Sequence, residues 1–263
     1  MRIAAIQCRA IADDPAGACE AIVQRLRWAA EEGIELVVFP EAFLLGHSYH
    51  RETIRARAHA ASGTALAELC RRVAAFTVTL VVGAFELAPP RIFNSAFVIE
   101  EGRVVGRYAK AYPNEPGVAA GGDFPTFVRS AIRYGINVCN DANHADAAER
   151  IAQQGAALIL YPLNNMLPPA TAARWREKSL DNLVDRARQT GCWIASSDVT
   201  GASDGLLSYG CTAIVAPDGH IVARVPERTE GAAVYDIPER QGVATAPSVT
   251  RRVPSPPGGE GIA

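Results

Sequence analysis

The chain has no long apolar run, no signal-like leader and almost no net charge, and each absence excludes a class of protein. No uninterrupted apolar stretch in the 263 residues is long enough to span a bilayer, so no membrane segment is expected. The strand pattern starts at Ile3, so no signal peptide is expected. A formal net charge of −2 gives no electrostatic attraction for nucleic acid or anionic lipid.

Paired cysteine motifs are also absent, which excludes a disulfide scaffold and a structural zinc site. No two of the six cysteines form a CxxC pair, and none stands at finger-like spacing from histidine. The cysteines are Cys8, Cys19, Cys70, Cys139, Cys192 and Cys211. Scattered thiols of this kind indicate a reducing, cytoplasmic compartment, with most of them in the core.

Lysine is almost missing from the chain. Of the 26 basic residues, only Lys110 and Lys178 are lysines. Arginine serves here wherever a solvated positive charge is enough, so a retained lysine is a candidate for a role that needs a compact ammonium with an adjustable pKa. The structural alternative for Lys110 is a surface lysine whose stem covers apolar groups.

Three apolar, strand-like segments end in a carboxyl, an amine and a thiol, at Glu41, Lys110 and Cys139. A thiol can attack a carbonyl, a carboxylate can move the proton, and an ammonium with the backbone N–H of Asn140 can stabilise the oxyanion. Each residue also has a structural alternative. Cys139 fits a buried core thiol, and Glu41 fits a residue capping the next segment.

Local sequence also predicts how two of these groups are tuned. Cys139 precedes a helix pattern, whose dipole favours thiolate, while the charges of Asp141 and Asp146 oppose it. Glu41 follows four apolar residues, so we expect desolvation to raise its pKa and make it a usable general base.

Strand and helix patterns alternate along the chain, which favours a layered α/β fold with mixed sheets. Predicted strands cover residues 3–7, 36–39, 79–85, 93–100, 103–110, 132–139, 157–161, 192–197, 210–216, 220–224 and 232–237. Predicted helices start at Asp14-Pro15 and stop near Gly33, then cover 64–76, 145–154 and 171–190. We expect one domain over 1–244 and a flexible, Pro-, Gly- and Ser-rich tail over 245–263.

Three motifs resemble the nitrilase, or carbon–nitrogen hydrolase, superfamily. They are Val-Phe-Pro-Glu at 38–41, Phe-Asn-Ser-Ala at 93–96 with Gly-Arg-Tyr-Ala-Lys at 106–110, and Tyr-Gly-Ile-Asn-Val-Cys-Asn-Asp at 134–141. Later blocks at 157–162, 186–187 and 210–219 are similar too. Order and spacing both fit over roughly residues 1–237.

The resemblance implies a four-layer αββα sandwich that forms a homodimer or a higher homo-oligomer. It implies that Cys139 is the nucleophile, Glu41 the general base and Lys110 the stabiliser of the transition state. Glu115, the first carboxylate after Lys110, matches a second glutamate of the family. The implied reaction passes through a thioester and requires no metal or organic cofactor.

The stretch after Cys139 departs from the family pattern and bears on the substrate. It reads Ala-Asn-His-Ala-Asp at 142–146 and lacks both the arginines of N-carbamoyl amino acid hydrolases and the Trp-Glu of true nitrilases. Those activities remain alternatives on the same site, and a small neutral amide is the favoured substrate. The candidate substrate contacts are Asn140, Asn143, His144 and Asn164, while His47 and His50 receive no role.

Two further classes of protein remain open. Acidic and histidine side chains at 141–146, with Glu41, could surround a divalent ion in a metal-dependent phosphoesterase. The late Asp-His pair of such an enzyme is missing, because His220 lies in a predicted turn. A non-catalytic binding protein on the same fold is the other alternative.

Overall fold

A computed structural model of the chain describes residues 1–238, which form two β-sheets between layers of helices. The predicted tail over 245–263, and the last residues of the predicted domain over 1–244, lie outside this part. Among residues 1–238, no helix is both long and apolar enough to cross a bilayer.

The structure has fourteen strands and five α-helices in its described part. The strands are β1 Arg2–Arg9, β2 Leu36–Val38, β3 Thr79–Ala88, β4 Arg91–Glu100, β5 Arg103–Ala109, β6 Thr126–Arg129, β7 Ile132–Ile136, β8 Leu158–Pro162, β9 Trp193–Ser197, β10 Val199–Ser203, β11 Leu206–Ser208, β12 Ala213–Val215, β13 Ile221–Arg224 and β14 Gly231–Asp236. The helices are α1 Pro15–Glu31, α2 Arg51–Ala60, α3 Leu66–Val73, α4 Ala145–Ala152 and α5 Pro169–Thr190. A π-helical turn covers Ala61–Ala65, and a 3₁₀ turn covers Cys139–Asn143.

The strand order brings several strand ends to one edge. The first sheet runs β11-β10-β1-β2-β3-β4-β5, with β14 also paired to β1, and the second runs β13-β12-β9-β8-β7-β6. Strand β2 is parallel to β3, and two antiparallel pairings through β4 turn β5 back into the same direction. Glu41, which follows β2, and Lys110, which follows β5, therefore emerge at the same edge of the first sheet.

The alternation of buried residues along β1 shows why the sheets stack. Ala4 and Ile6 pack against the helices α1 and α3, whereas Ile3 and Ala5 face the second sheet. A third cluster joins the other face of the second sheet to α4 and α5. These clusters give the four-layer αββα order that the resemblance implies.

Helix α1 illustrates how local sequence sets an element. The Asp14 side chain accepts a hydrogen bond of 2.9 Å from the Gly17 N–H, and Pro15 occupies the first turn. Its buried residues recur at helical spacing on one face: Ala18, Cys19, Ile22, Val23, Leu26 and Ala29. This start, and the stop at Gly33 with φ of 67°, match the prediction.

Several predicted boundaries differ from the structure, and the strands β6, β10 and β11 were not predicted. The predicted helix over 64–76 is α3, which ends at Val73 and continues from α2 through the π-helical turn. Helix α2 was not predicted, because it is rich in arginine and carries only Ile54 and Ala58 as buried apolar residues. The predicted strand over 132–139 ends at Ile136, so Cys139 already lies in the 3₁₀ turn.

Candidate active site

A buried ammonium lies between two buried carboxylates at the edge of the first sheet. Lys110 Nζ is 2.7 Å from Glu41 Oε1 and 2.7 Å from Glu115 Oε1. Burial alone would lower the pKa of Lys110, but the negative charges around it, that of Glu41 first, raise this pKa well above its ordinary value. Lys110 is therefore a cation at neutral pH, and its ammonium contacts both Glu41 and Glu115 directly.

Two polar side chains that were not predicted complete this cluster. Asn94 Nδ2 donates to Glu41 Oε1 and to Glu115 Oε1, at 2.8 Å each. His47 Nε2 lies 2.9 Å from Glu115 Oε1. Burial would raise the pKa of Glu115, but the hydrogen bond from His47 and the charge of Lys110 lower it well below its usual range.

A signal for Asn94 was present in the sequence, since it is a polar residue inside an apolar strand, one strand away from Lys110. His47 had no such signal. It belongs to a loop, and only the fold brings its ring to Glu115.

The two oxygens of Glu41 have different environments. Oε1 accepts from Lys110 and Asn94, whereas Oε2 is buried without a hydrogen-bond partner among residues 1–238. The Glu41 N–H donates to Leu163 O at 3.0 Å, which fixes the backbone across the two sheets. Gly83 permits this approach, because a Cβ there would lie 2.4 Å from the Ala42 nitrogen. Glu41 thus presents one held oxygen and one oxygen that is free to take a proton.

Cys139 is held in an uncommon backbone conformation at the start of the 3₁₀ turn. Its φ is 43°, a left-handed value that costs a residue other than glycine energy and is found at functional sites. The carboxylate of Asp141 stabilises this turn by accepting from the Val138 N–H at 2.8 Å, the Tyr112 N–H at 2.9 Å and the Tyr108 hydroxyl at 2.8 Å. Asp141 thus has a structural role that sequence did not indicate.

The pKa of Cys139 does not favour a thiolate, although a helix dipole was expected to act in that direction. Burial raises the pKa of the Cys139 thiol well above its usual value, and the charge of Glu41 raises it further. The charge of Lys110 and a hydrogen bond from the Asn164 N–H to the sulfur act in the opposite direction and do not compensate. The 3₁₀ turn has only five residues, so its dipole is small. The resting residue is a thiol that needs a base.

Cys139 borders a cavity of about 220 Å³. Six side-chain amides belong to its wall, those of Asn114, Asn140, Asn143, Asn164, Asn165 and Asn182. The remaining wall is Tyr49, Ala142, Leu163, Leu167, Thr171, Trp175 and Ser179. No charged side chain belongs to the part of this wall that the structure describes. The cavity suits a small, uncharged group.

The predicted substrate contacts fall into two groups. Asn140, Asn143 and Asn164 line the cavity. His144 does not belong to its described wall, and its ring stacks on Tyr112 with a centroid distance of 3.7 Å. The structure therefore offers no substrate contact for His144. A larger groove of about 660 Å³, along α2 and the loop after Glu115, contains none of the predicted site residues.

The predicted metal-ligand stretch over 141–146 does not converge. Asp141 turns inward to backbone and tyrosine donors, and His144 stacks on Tyr112. The carboxylate of Asp146 accepts from the Tyr112 hydroxyl at 2.5 Å and lies 3.6 Å from Arg150. These side chains have separate structural partners.

A different trio brings possible ligand atoms together. One atom each from Glu41, His47 and Glu115 lie within 4.8 Å of one another. The ammonium of Lys110 already bridges the two carboxylates at 2.7 Å. The cation of this cluster is therefore a residue of the chain itself.

The chain is similar to known proteins over most of its length. The family model of the carbon–nitrogen hydrolases matches residues 2–246. A protein described as "Hydrolase in pqqF 5'region" from Pseudomonas protegens is 28% identical over 232 residues, which cover 85% of this chain and 78% of that protein. A nitrilase from Pyrococcus abyssi is 26% identical over 218 residues, covering 81% of this chain and 80% of the nitrilase.

A solved structure is similar over almost the whole fold. The crystal structure of an amidase from Nesterenkonia sp. superposes with a TM-score of 0.80 and covers 91% of this chain and 90% of the amidase. The sequence identity is 23%, so the superposition shows the fold.

Proposed function

Because the chain belongs to the carbon–nitrogen hydrolase family, we propose that it hydrolyses a small, uncharged amide through a thioester on Cys139. The observation that carries this proposal is that the two carboxylate oxygens of Glu41 have different environments. One of its oxygens is held by Lys110 and Asn94, and the other is buried and unpartnered among residues 1–238. A thiol with a raised pKa requires such a base.

In the first step the Cys139 sulfur attacks the amide carbonyl carbon. The thiol proton passes to Glu41 Oε2 as the S–C bond forms, and the π electrons of the carbonyl move to its oxygen. The charge of Glu41 acts on Cys139, since after burial it is the largest cause that raises the pKa of the thiol.

Lys110 is suited to stabilise the resulting oxyanion. An ammonium has three N–H donors, and the carboxylates of Glu41 and Glu115 take two of them. Asn114 Oδ1, at 3.5 Å, is a long contact for the third. That donor, with the Asn140 backbone N–H, can bind the oxyanion, and such donors contribute roughly 3–4 kcal/mol each to acyl transfer.

The remaining steps use the same carboxyl group. Protonated Glu41 donates its proton to the amide nitrogen, the C–N bond breaks, and ammonia or an amine leaves a thioester on Cys139. Glu41 then takes a proton from water, whose oxygen attacks the thioester, and the sulfur leaves and is reprotonated. Every proton in this course is moved by a residue of the chain, so the proposal needs no cofactor.

The cavity supports an amide as substrate over a carbamoyl amino acid. A carbamoyl amino acid carries a carboxylate, and the described cavity wall offers no arginine or lysine to bind it. A nitrile is the second candidate, because one relative at 26% identity is a nitrilase. The expected homodimer and the cytoplasmic location stay predictions, and light scattering tests the first.

Steady-state ammonia release tests the proposal with three probes: propanamide, propanenitrile and N-carbamoyl-β-alanine. We expect the highest kcat/KM for propanamide and none above background for Cys139→Ala. Rapid-quench intact-mass spectrometry should show a propanoyl adduct on the wild type alone. Release from propanenitrile at a higher kcat/KM would favour a nitrilase, and release by Cys139→Ala would refute the thioester route.

A further inference from the structure

A buried carboxyl group accepts two hydrogen bonds from one residue of the cavity wall. Asp198 lies between β9 and β10 and is fully buried. Its Oδ1 accepts from the Asn165 backbone N–H at 3.0 Å, and its Oδ2 accepts from Asn165 Nδ2 at 2.7 Å. The Asp198 N–H donates to Thr212 Oγ1 at 2.9 Å, which fixes the backbone of Asp198 in turn. Asn165 is therefore held at two points by a single carboxyl group.

These two hydrogen bonds set the orientation of the Asn165 side-chain amide. An ionised carboxylate only accepts hydrogen bonds, so the NH₂ group of Asn165 must face Asp198 and the carbonyl oxygen must face away from it. Asn165 lines the cavity, and its Oδ1 has no hydrogen-bond partner among residues 1–238. Asn165 thus contributes to the cavity wall an amide whose oxygen is turned away from Asp198.

Asn140 and Asn143 differ from Asn165 in this respect. Asn140 Oδ1 accepts from Asn143 Nδ2 at 2.9 Å, and Asn143 Oδ1 accepts from Asn182 Nδ2 at 2.7 Å. The oxygens of Asn140 and Asn143 are thus engaged within the wall, whereas that of Asn165 is unpaired.

The acceptor also lies close to the nucleophile along the chain. The N–H of Asn164 donates to the Cys139 sulfur, and Asn165 is the next residue. A group bonded to that sulfur therefore projects into a cavity whose wall includes the Asn165 amide.

We propose that Asn165, positioned by Asp198, is a specificity-determining residue that accepts a hydrogen bond from a neutral donor on the acyl part of the substrate. The favoured substrates are then small amides whose acyl group carries a hydroxyl. This inference rests on the proposed amide hydrolysis and adds the chemical class of the acyl group. Asn165 contacts the substrate, and Asp198 acts only through Asn165.

Paired substrates isolate this contact. Lactamide and propanamide have the same carbon skeleton and differ by one hydroxyl. We expect the wild type to prefer lactamide about tenfold in kcat/KM, as one well-formed hydrogen bond allows. Burial raises the pKa of Asp198 to about 7, so the assays are run at pH 8.5, where this carboxyl is ionised.

Three variants test whether Asn165 causes the preference for lactamide over propanamide. In Asn165→Ala the ratio of the two kcat/KM values should fall to near one. Asp198→Asn keeps the shape of the side chain and weakens its hydrogen bonds to Asn165, so the ratio should fall in part. Asn182→Ala, which removes another amide of the same wall, should keep the wild-type ratio. A loss of folded enzyme lowers both substrates equally and leaves the ratio unchanged, so the ratio reports the contact and not stability.

Each result decides between the two proposals. A wild-type ratio near one, or an unchanged ratio in Asn165→Ala, overturns this inference and leaves amide hydrolysis intact. If Asn165→Ala does not fold, an unchanged ratio in Asp198→Asn overturns it. Failure of both amides to acylate Cys139 overturns the proposed function and this inference with it.

Discussion

Asn94 donates a hydrogen bond of 2.8 Å to Oε1 of Glu41, the same oxygen that the ammonium of Lys110 holds. Its amide nitrogen serves Glu115 as well, at the same distance. Because both donors approach one oxygen of Glu41, the other oxygen stays free for proton transfer. The orientation of the base therefore depends on a residue outside the predicted catalytic set.

Asn94→Ala should lower kcat by one to two orders of magnitude with a smaller change in KM. The hydrogen bonds it removes are made to charged groups, worth about 1.5–3 kcal/mol each, and Glu41 becomes free to rotate. Steady-state kinetics on propanamide measures the effect. The matched control is Ser95→Ala in the same strand, whose hydroxyl donates to Glu86 at 2.6 Å. A kcat within twofold of wild type in Asn94→Ala would show that Glu41 is oriented by other groups.

Lys110→Arg should fold and be nearly inactive. A guanidinium keeps the positive charge between the carboxylates, but its planar donors cannot reproduce the tetrahedral ammonium that leaves one N–H for the oxyanion. We expect kcat to fall at least about 100-fold, in line with the loss of one oxyanion donor.

The chain supplies a close control for this variant. Lys178, its other lysine, lies 4.6 Å from the Trp175 ring centroid, and arginine preserves such a cation–π contact. Lys178→Arg should keep near-normal kcat, and circular dichroism should show both variants folded. Full activity of Lys110→Arg would contradict the oxyanion role.

The positions of Glu41, Lys110 and Cys139 were predictable because each is the first carboxyl, amine or thiol after an apolar strand. Glu41 and Lys110 emerge at one sheet edge through strand direction alone. The fold class was predictable from alternating strand and helix patterns. These features depend on local sequence and on simple rules of topology.

The partners of those groups were not predictable in the same way. Asn94 and His47 reach Glu115 across long stretches of chain, so only tertiary packing brings them together. Asp141 was expected to oppose a Cys139 thiolate by its charge, but it faces inward to backbone donors and Tyr108. His144 was expected near the substrate and instead stacks on a tyrosine. In each case the side-chain direction, which sequence does not specify, decides the role.

Iodoacetamide, which carries an amide group, should alkylate Cys139 faster than Cys70 in the native enzyme. These two cysteines are partly exposed, and the other four are buried. Burial raises the pKa of both thiols, so neither is intrinsically reactive. Cys139 has the Glu41 base within electrostatic reach, and no such base is among the causes acting on the pKa of Cys70.

Peptide mapping by mass spectrometry after a short exposure gives the two rates. Glu41→Gln removes a charge that raises the thiol pKa, but it also removes the proton acceptor; we expect the loss of the acceptor to dominate, so that alkylation slows at Cys139 and is unchanged at Cys70. Equal rates at both cysteines in the wild type would mean that Glu41 does not act as base for the thiol.

The buried carboxylate of Asp198 should make the protein less stable as pH rises through the weakly acidic range. Burial raises its folded-state pKa from 3.8 to about 7. Between those values the native state holds a proton that the unfolded state has released, so the free energy of unfolding falls with pH and becomes level above pH 7. From pH 5 to pH 8 this group alone should lower the free energy of unfolding by about 2–3 kcal/mol.

Urea unfolding of wild type and Asp198→Asn at both pH values isolates this contribution. The pKa of Asp141, which burial raises to about 6, affects both proteins equally and cancels. We expect the wild type to lose more stability than Asp198→Asn over this interval. The opposite sign would mean that the hydrogen bonds from Asn165 outweigh burial and hold the pKa of Asp198 below its ordinary value.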